Sequence, residues 1–211
     1  MRLYGYWRSS ASWRVRIGLA LKGVAYDNVP VNLRTGEQNE AAHEARNPLH
    51  KVPVLEWTDD DGTHRMTQSM AILMWLDAQV PTPPLFPSDP LLRARVIELA
   101  EVVNTAMQPL QNSSVLAAVE DLGGDRTPWA HRWVEAGLRA LDQLSAPLRG
   151  RYLCGDEITV ADLFFVPQMY GARRFGVDLA PFDALTAIES RLAAHEAFVA
   201  ADASNQPDAV P

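Results

Sequence analysis

Trp7-Arg8-Ser9-Ser10-Ala11-Ser12-Trp13-Arg14-Val15-Arg16 joins a short apolar strand pattern, Leu3 to Tyr6, to a helical pattern beginning near Ser12. Serines at a strand-to-helix junction are natural N-caps. The free backbone N–H groups beside them carry the positive end of the helix dipole and favour an anion or a thiolate. On this stretch alone, Ser9, Ser10 and Ser12 read as caps, because capping serines far outnumber catalytic ones. From Trp13 the apolar residues Trp13, Ile17, Ala20 and Leu21 fall mostly on one helical face that ends at Gly23. Val24 to Leu33 is β-branched and apolar enough for a second strand, which gives β-α-β.

Outward from that unit, Gly36 to Arg46 predicts a weak helix stopped by Asn47-Pro48. Lys51 to Trp57 predicts a strand in which Pro53 must occupy an edge or a turn. Asp59-Asp60-Asp61-Gly62 reads as a solvated hairpin turn, because no further ligands follow at calcium-loop spacing. The returning strand, Thr63 to Thr67, leads through Gln68 to an apolar helix carrying Met70, Ile72, Leu73, Trp75 and Leu76, with Ser69 as its expected cap. Pro81, Pro83, Pro84, Pro87 and Pro90 then mark a linker.

Beyond the linker, two long helices are expected at Leu91 to Leu122 and Pro128 to Leu148. A third opens at Thr159 with Asp162 as its capping-box partner, and shorter ones cover 183–192 and 196–201 before a frayed tail, 204–211. The expected organisation is an α/β thioredoxin-like domain over 1–80, a Pro-rich linker over 81–90 and an all-helical domain over 91–211.

The totals exclude several function classes. A net charge of −7 and a pI near 5.2, with no basic patch to override them, argue against nucleic acid or an anionic membrane as partner. No apolar run reaches membrane-spanning length and the opening residues lack a signal-peptide pattern, so a soluble, unexported, cytoplasmic protein is expected. The lone Cys154 agrees with a reducing compartment and reads as a small buried filler. His43, His50, His64, His131 and His195 show no metal-ligand spacing, and no metal is assigned.

Ser9-Ser10-Ala11-Ser12-Trp13-Arg14-Val15-Arg16-Ile17 resembles the S-S-C-S-W-R-V-R-I signature of zeta-class glutathione transferases, whose named activity is maleylacetoacetate isomerase. Asn47-Pro48, Val52-Pro53, Gln68-Ser69, Pro81-Thr82-Pro83, Gln108-Pro109-Leu110-Gln111-Asn112, Gly155-Asp156-Glu157 with Thr159 and Asp162, and Val177-Asp178-Leu179 follow in the order of that class. The resemblance covers essentially the whole chain. It implies that glutathione lies along the first domain, with Ser9 and Ser10 facing the thiol and Gln38 near the glycine end. The backbone of Val52, before a cis Pro53, would pair with the cysteinyl residue, and Gln68 and Ser69 would hold the γ-glutamyl end. Gln108, Asn112, Ser113 and Ser114 would close the site from the helical domain.

Ala11 stands where the signature has cysteine. The maleylpyruvate isomerases also lack that cysteine but carry arginines at the positions of Ser113 and Ser114, so this chain leans towards maleylacetoacetate isomerase.

The implied reaction is reversible addition of glutathione thiolate to a cis double bond, followed by rotation and release of the trans isomer, as in aromatic-amino-acid breakdown. A substrate with a carboxylate at each end calls for cations; Arg8 and Arg174 fill that role by resemblance, and Arg173 less so. A homodimer is implied too. The competing readings are a general zeta-like transferase acting on small α-halo acids and a glutathione-binding module without turnover, which retention of Ser9, Ser10, Gln68 and Ser69 disfavours.

Overall fold

Leu3 and Tyr4 are buried on both faces of β1 (Arg2–Gly5), as suits an inner strand of a mixed sheet. In the computed structural model, which describes residues 1–210, the sheet runs β2-β1-β3-β4. The parallel partner of β1 is β2 (Asp27–Pro30), and the crossover that parallel pairing demands is α1 (Ser10–Leu21). On its other side β1 runs antiparallel to β3 (Val54–Asp59), which turns through Asp60-Asp61 into β4 (Gly62–Thr67). Between β2 and β3 lie a 3₁₀ turn, Glu37–Asn39, and the short α2 (Ala41–Glu44); α3 (Ser69–Gln79) follows β4.

The second strand is shorter than its apolar run, spanning only Asp27–Pro30; its bonding to β1 closes with Val31 N donating to Gly5 O at 2.7 Å, and the Pro30 nitrogen faces the open edge, where no N–H is needed. Glu56 ties the sheet crosswise. It accepts from Arg65 Nε (2.7 Å) and the Tyr4 hydroxyl (3.2 Å), and the Arg65 bond holds its carboxyl below the usual range.

The second compact unit spans Phe86–His195. Asp89 caps α4 (Pro90–Glu101) by accepting from Leu92 N at 2.7 Å. The single long helix expected to Leu122 is broken. Thr105 Oγ1 donates to the Glu101 carbonyl at 2.8 Å, the chain widens into a π turn over Val102–Met107, and Pro109, lacking an N–H, falls in a 3₁₀ turn over Gln108–Gln111. Asn112 then caps a separate helix, α5 (Ser113–Asp121).

Next comes α6 (Arg126–Ser145), capped by Asp125 and so beginning two residues before the expected start at Pro128. It is pinned by Trp129 Nε1 donating to Leu110 O at 2.9 Å. Its Gly137 lies so close to the π turn that a Cβ there would sit 2.1 Å from Met107 Cγ. The apolar α7 (Val160–Arg174) is buried on nearly every side, and α8 (Asp183–Ala193) follows. Asp162, fully buried in the first turn of α7, accepts from Thr159 N (2.9 Å), Thr159 Oγ1 (3.2 Å) and Leu153 N (3.1 Å).

From Glu196 the chain returns to the first unit, where α9 (Glu196–Ala201) packs on α1. This corrects the expectation that the segment belongs to the helical half and ends in a frayed tail. Asp202 caps a 3₁₀ turn over Ala203–Asn205, and the buried Gln206 amide donates to Ala200 O (3.1 Å) and Asp202 O (2.8 Å). Asp208 then accepts from Trp7 N at 2.9 Å. Pro211, the last residue of that expected tail, lies outside the described residues. Among the described residues no helix is long and apolar enough to cross a membrane.

Candidate active site

The strand register decides where the candidate residues meet. Tyr4 pairs with Val54, Val54 pairs with Thr67, and Gly5 pairs with Pro30, so one end of the sheet collects the exits of β1, β2 and β4 and the entry to β3. Four segments therefore converge there: Tyr6 to Ser9, the chain after Val31, Val52-Pro53 and Gln68-Ser69. Ligand crevices in α/β sheets form at such strand ends.

At the first of these, Arg8, Ser9, Ser10 and Ala11 are partly open while the residues on either side are buried. Helix α1 starts at Ser10, earlier than the pattern from Trp13 indicates, because Ser9 is the cap: its Oγ accepts from Ser12 N at 3.3 Å, and its carbonyl takes Trp13 N at 2.8 Å. The Ser9 hydroxyl proton is not used by the cap and can be offered to an anion. Ser10 and Ala11 follow in the first turn, whose N–H groups have no intrahelical acceptors. Ser12 is not part of the site; it is buried beneath Gly5, where a Cβ would meet its Oγ at 3.2 Å.

Val52 precedes a cis peptide to Pro53, as the resemblance implied, and the proline sits ahead of β3 rather than in its ladder. The expectation that Ser69 caps α3 is corrected. Gln68 occupies the cap position with φ 71°, and Ser69 is the first helical residue, buried. Its Oγ accepts from Arg14 Nη1 at 3.2 Å. A guanidinium can only donate, so the Ser69 proton is directed to some other acceptor. Gln38 lies in the 3₁₀ turn; its carbonyl accepts from His50 Nδ1 at 3.2 Å, while its side-chain Oε1 is buried with no hydrogen-bond partner. The Arg8 guanidinium lies 5.3 Å from the Trp7 ring centroid.

Gln108, Asn112, Ser113 and Ser114 belong to the second unit. Gln108 opens the 3₁₀ turn, and Asn112 Oδ1 accepts from Ser114 N (3.2 Å) and Ser114 Oγ (3.1 Å), so Ser113 and Ser114 form the exposed first turn of α5. Arg174 is exposed in the last turn of α7 with its guanidinium 5.1 Å from the Phe175 ring. Arg173 is engaged bidentately by Glu189, both contacts at 2.5 Å, which raises its pKa.

Sequence reasoning misses Arg14 and Arg16 as supporting groups. The available signal is two cations on a helix otherwise apolar enough to be buried, since buried charges must be partnered. Arg16 is 2% exposed, and burial pushes its pKa down to about 10.

Two family models match the chain: Glutathione S-transferase, N-terminal domain, over residues 1–78, and Glutathione S-transferase, C-terminal domain, over residues 127–196. The maleylacetoacetate isomerase of Rattus norvegicus is 41% identical over 98% of this chain and 94% of its own length. The maleylpyruvate isomerase of a Ralstonia species is 41% identical over 99% of each. A crystal structure of maleylacetoacetate isomerase from Anaeromyxobacter dehalogenans 2CP-1, with dicarboxyethyl glutathione and citrate in its active site, matches with a TM-score of 0.91. It is 49% identical and covers 100% of this chain and 97% of that one.

Proposed function

Because the chain belongs to the glutathione S-transferase family, in its zeta class, we propose that it is a glutathione-dependent isomerase that converts maleylacetoacetate to fumarylacetoacetate. The observation that carries this reading is the convergence of Ser9, Val52-Pro53 and Gln68-Ser69 at one sheet end, beneath two helix N-termini.

These residues suit glutathione. The free protons of Ser9 and Ser69 match a thiolate and a carboxylate, the partnerless Gln38 Oε1 calls for an N–H donor, and the Val52 backbone can pair with a peptide. When bound, glutathione supplies a thiol that adds reversibly to a conjugated cis double bond and so permits rotation to trans.

The chain's own groups do the rest. Ser9 and the first turn of α1 hold the thiol in its ionised form, with Ser10 and Ala11 lining the same turn. Gln68 and Ser69 retain the γ-glutamyl end. Arg8 and Arg174 neutralise the substrate carboxylates and the charge that develops during addition. Gln108, Asn112, Ser113 and Ser114 contribute from the helical domain. The functional protein is a cytoplasmic homodimer.

The Ralstonia relative supports a second reading, with maleylpyruvate as substrate. Assays with maleylacetoacetate and maleylpyruvate, each with and without glutathione, separate the two. The expected result is turnover that requires glutathione and favours maleylacetoacetate; no glutathione-dependent turnover of either would refute an isomerase. Sedimentation velocity at micromolar protein should give about twice the 23.3 kDa chain mass, and a monomer there would remove the dimer.

A further inference from the structure

Arg16 and Asp208 have no part in the chemistry just described, yet both act on the two peptide units that lead into Ser9. The Arg16 guanidinium donates from Nη2 to Trp7 O (2.8 Å), from Nη1 to Tyr6 O (3.5 Å) and from Nε to Ala201 O (3.1 Å). Tyr6 O also accepts from Ser9 N at 2.9 Å, so the same carbonyl that Arg16 reaches sets the turn from which Ser9 emerges. Asp208 Oδ2 in turn accepts from Trp7 N at 2.9 Å. The peptide joining Tyr6 and Trp7 is thereby held through both its N–H and its C=O, and the next one through its C=O.

Neither hold is local in sequence. Arg16 links the loop to the end of α9, and Asp208 reaches it because Gln206 anchors the intervening chain to Ala200 and Asp202. The strand β1 ends at Gly5, so backbone pairing in the sheet stops before this loop begins. Its geometry rests on these side chains.

We propose that Arg16 and Asp208 are positioning residues for Ser9, and that the returning segment 196–208 is a structural part of the thiol-binding loop. This rests on the reading that Ser9 faces the thiol. Loosening the loop displaces the hydroxyl from the sulfur, and a displacement of about 1 Å can cost on the order of a hundredfold in rate.

Asp208→Ala is the test, with Asp208→Asn as the conservative control, since an amide oxygen still accepts from Trp7 N. In the ligand-free protein, amide exchange at Trp7 and Ser9 should accelerate about tenfold in Asp208→Ala. The pH dependence of glutathione binding, followed by calorimetry, should show the bound thiol titrating closer to its free value. Turnover should fall about tenfold in kcat with KM for the dicarboxylate within about twofold. Asp208→Asn should recover most of each effect. Native exchange, pH dependence and kcat in Asp208→Ala, alongside an impaired Ser9→Ala, would overturn the inference and leave the Ser9 reading intact. A native Ser9→Ala would instead refute the Ser9 reading, and this inference with it. A lowered melting temperature with unchanged kcat per folded molecule would reduce Asp208 to a stabilising contact and also overturn the proposal.

Discussion

Asp162→Ala is expected to lower the melting temperature by roughly 10 °C, a larger stability loss than any other substitution named above. The carboxylate is fully buried and takes the N–H groups of Thr159 and Leu153 and the Thr159 hydroxyl. Alanine leaves three buried donors without an acceptor, at about 1–3 kcal/mol for each. Partial relaxation brings the sum to about 3–5 kcal/mol, and for a chain of this size each 1 kcal/mol moves the midpoint by about 2–4 °C. Equilibrium denaturation measures it directly, and a loss under about 1 kcal/mol would mean that the box does not carry α7.

The same group has a pH signature. Burial raises the Asp162 pKa to about 6, against the opposing hydrogen bonds from Thr159 and Leu153. The folded state therefore holds a proton that the unfolded chain has already released between pH 3.8 and about 6. Its contribution is complete below that window and is lost as pH rises through it, by up to about 3 kcal/mol. Asp162→Asn does not titrate, so the stability difference between wild type and this variant should shrink as the pH is raised across that interval.

The second large effect is on catalysis. Lowering a free thiol's pKa by about two units takes about 2.7 kcal/mol. A helix N-terminus supplies roughly 0.3–1 kcal/mol and a hydrogen bond to a charged group roughly 1.5–3 kcal/mol, so in the proposed site the Ser9 hydroxyl would be the larger share. Ser9→Ala should thus slow isomerisation roughly ten- to a hundredfold. Because Ser9 also caps α1, Ser9→Gly is the companion variant: glycine is a tolerable cap that likewise lacks the hydroxyl. Ala11→Cys restores the family's usual residue in the same helical turn and should change the rate less than either. Steady-state kinetics on the three variants decides it. An Ala11→Cys enzyme that gained more than Ser9→Ala lost would shift the chemistry from the serine to the signature thiol.

The first unit is legible in the sequence because its signals are local. The apolar run Leu3 to Tyr6, the Asp-Gly turn at Asp61-Gly62 and the serines before Trp13 each act within a few residues, and their order gives the sequence of strands and helices, though not the strand order of the sheet. The long helix to Leu122 misleads because apolar periodicity continues through a segment whose backbone bonds are diverted by Thr105 and interrupted at Pro109. Pro109 is the visible warning. Ser69 falls one residue inside the cap because Gln68 takes a positive φ that no side-chain pattern announces. The roles of Arg16 and Asp208 are hidden for a different reason: their partners are backbone groups 9 and 201 residues away in sequence, and only packing brings them together.

The chain's single sulfhydryl, Cys154, is buried at 4% exposure, and burial raises its pKa further from neutrality. With alanine at position 11, electrophiles drawn to the proposed thiol-binding loop meet no soft nucleophile belonging to the polypeptide. Covalent self-inactivation by a reactive alkene or halo acid, and oxidative loss of a catalytic sulfur, are thereby closed off at that loop, and the enzyme should tolerate repeated exposure to substrates that alkylate thiols.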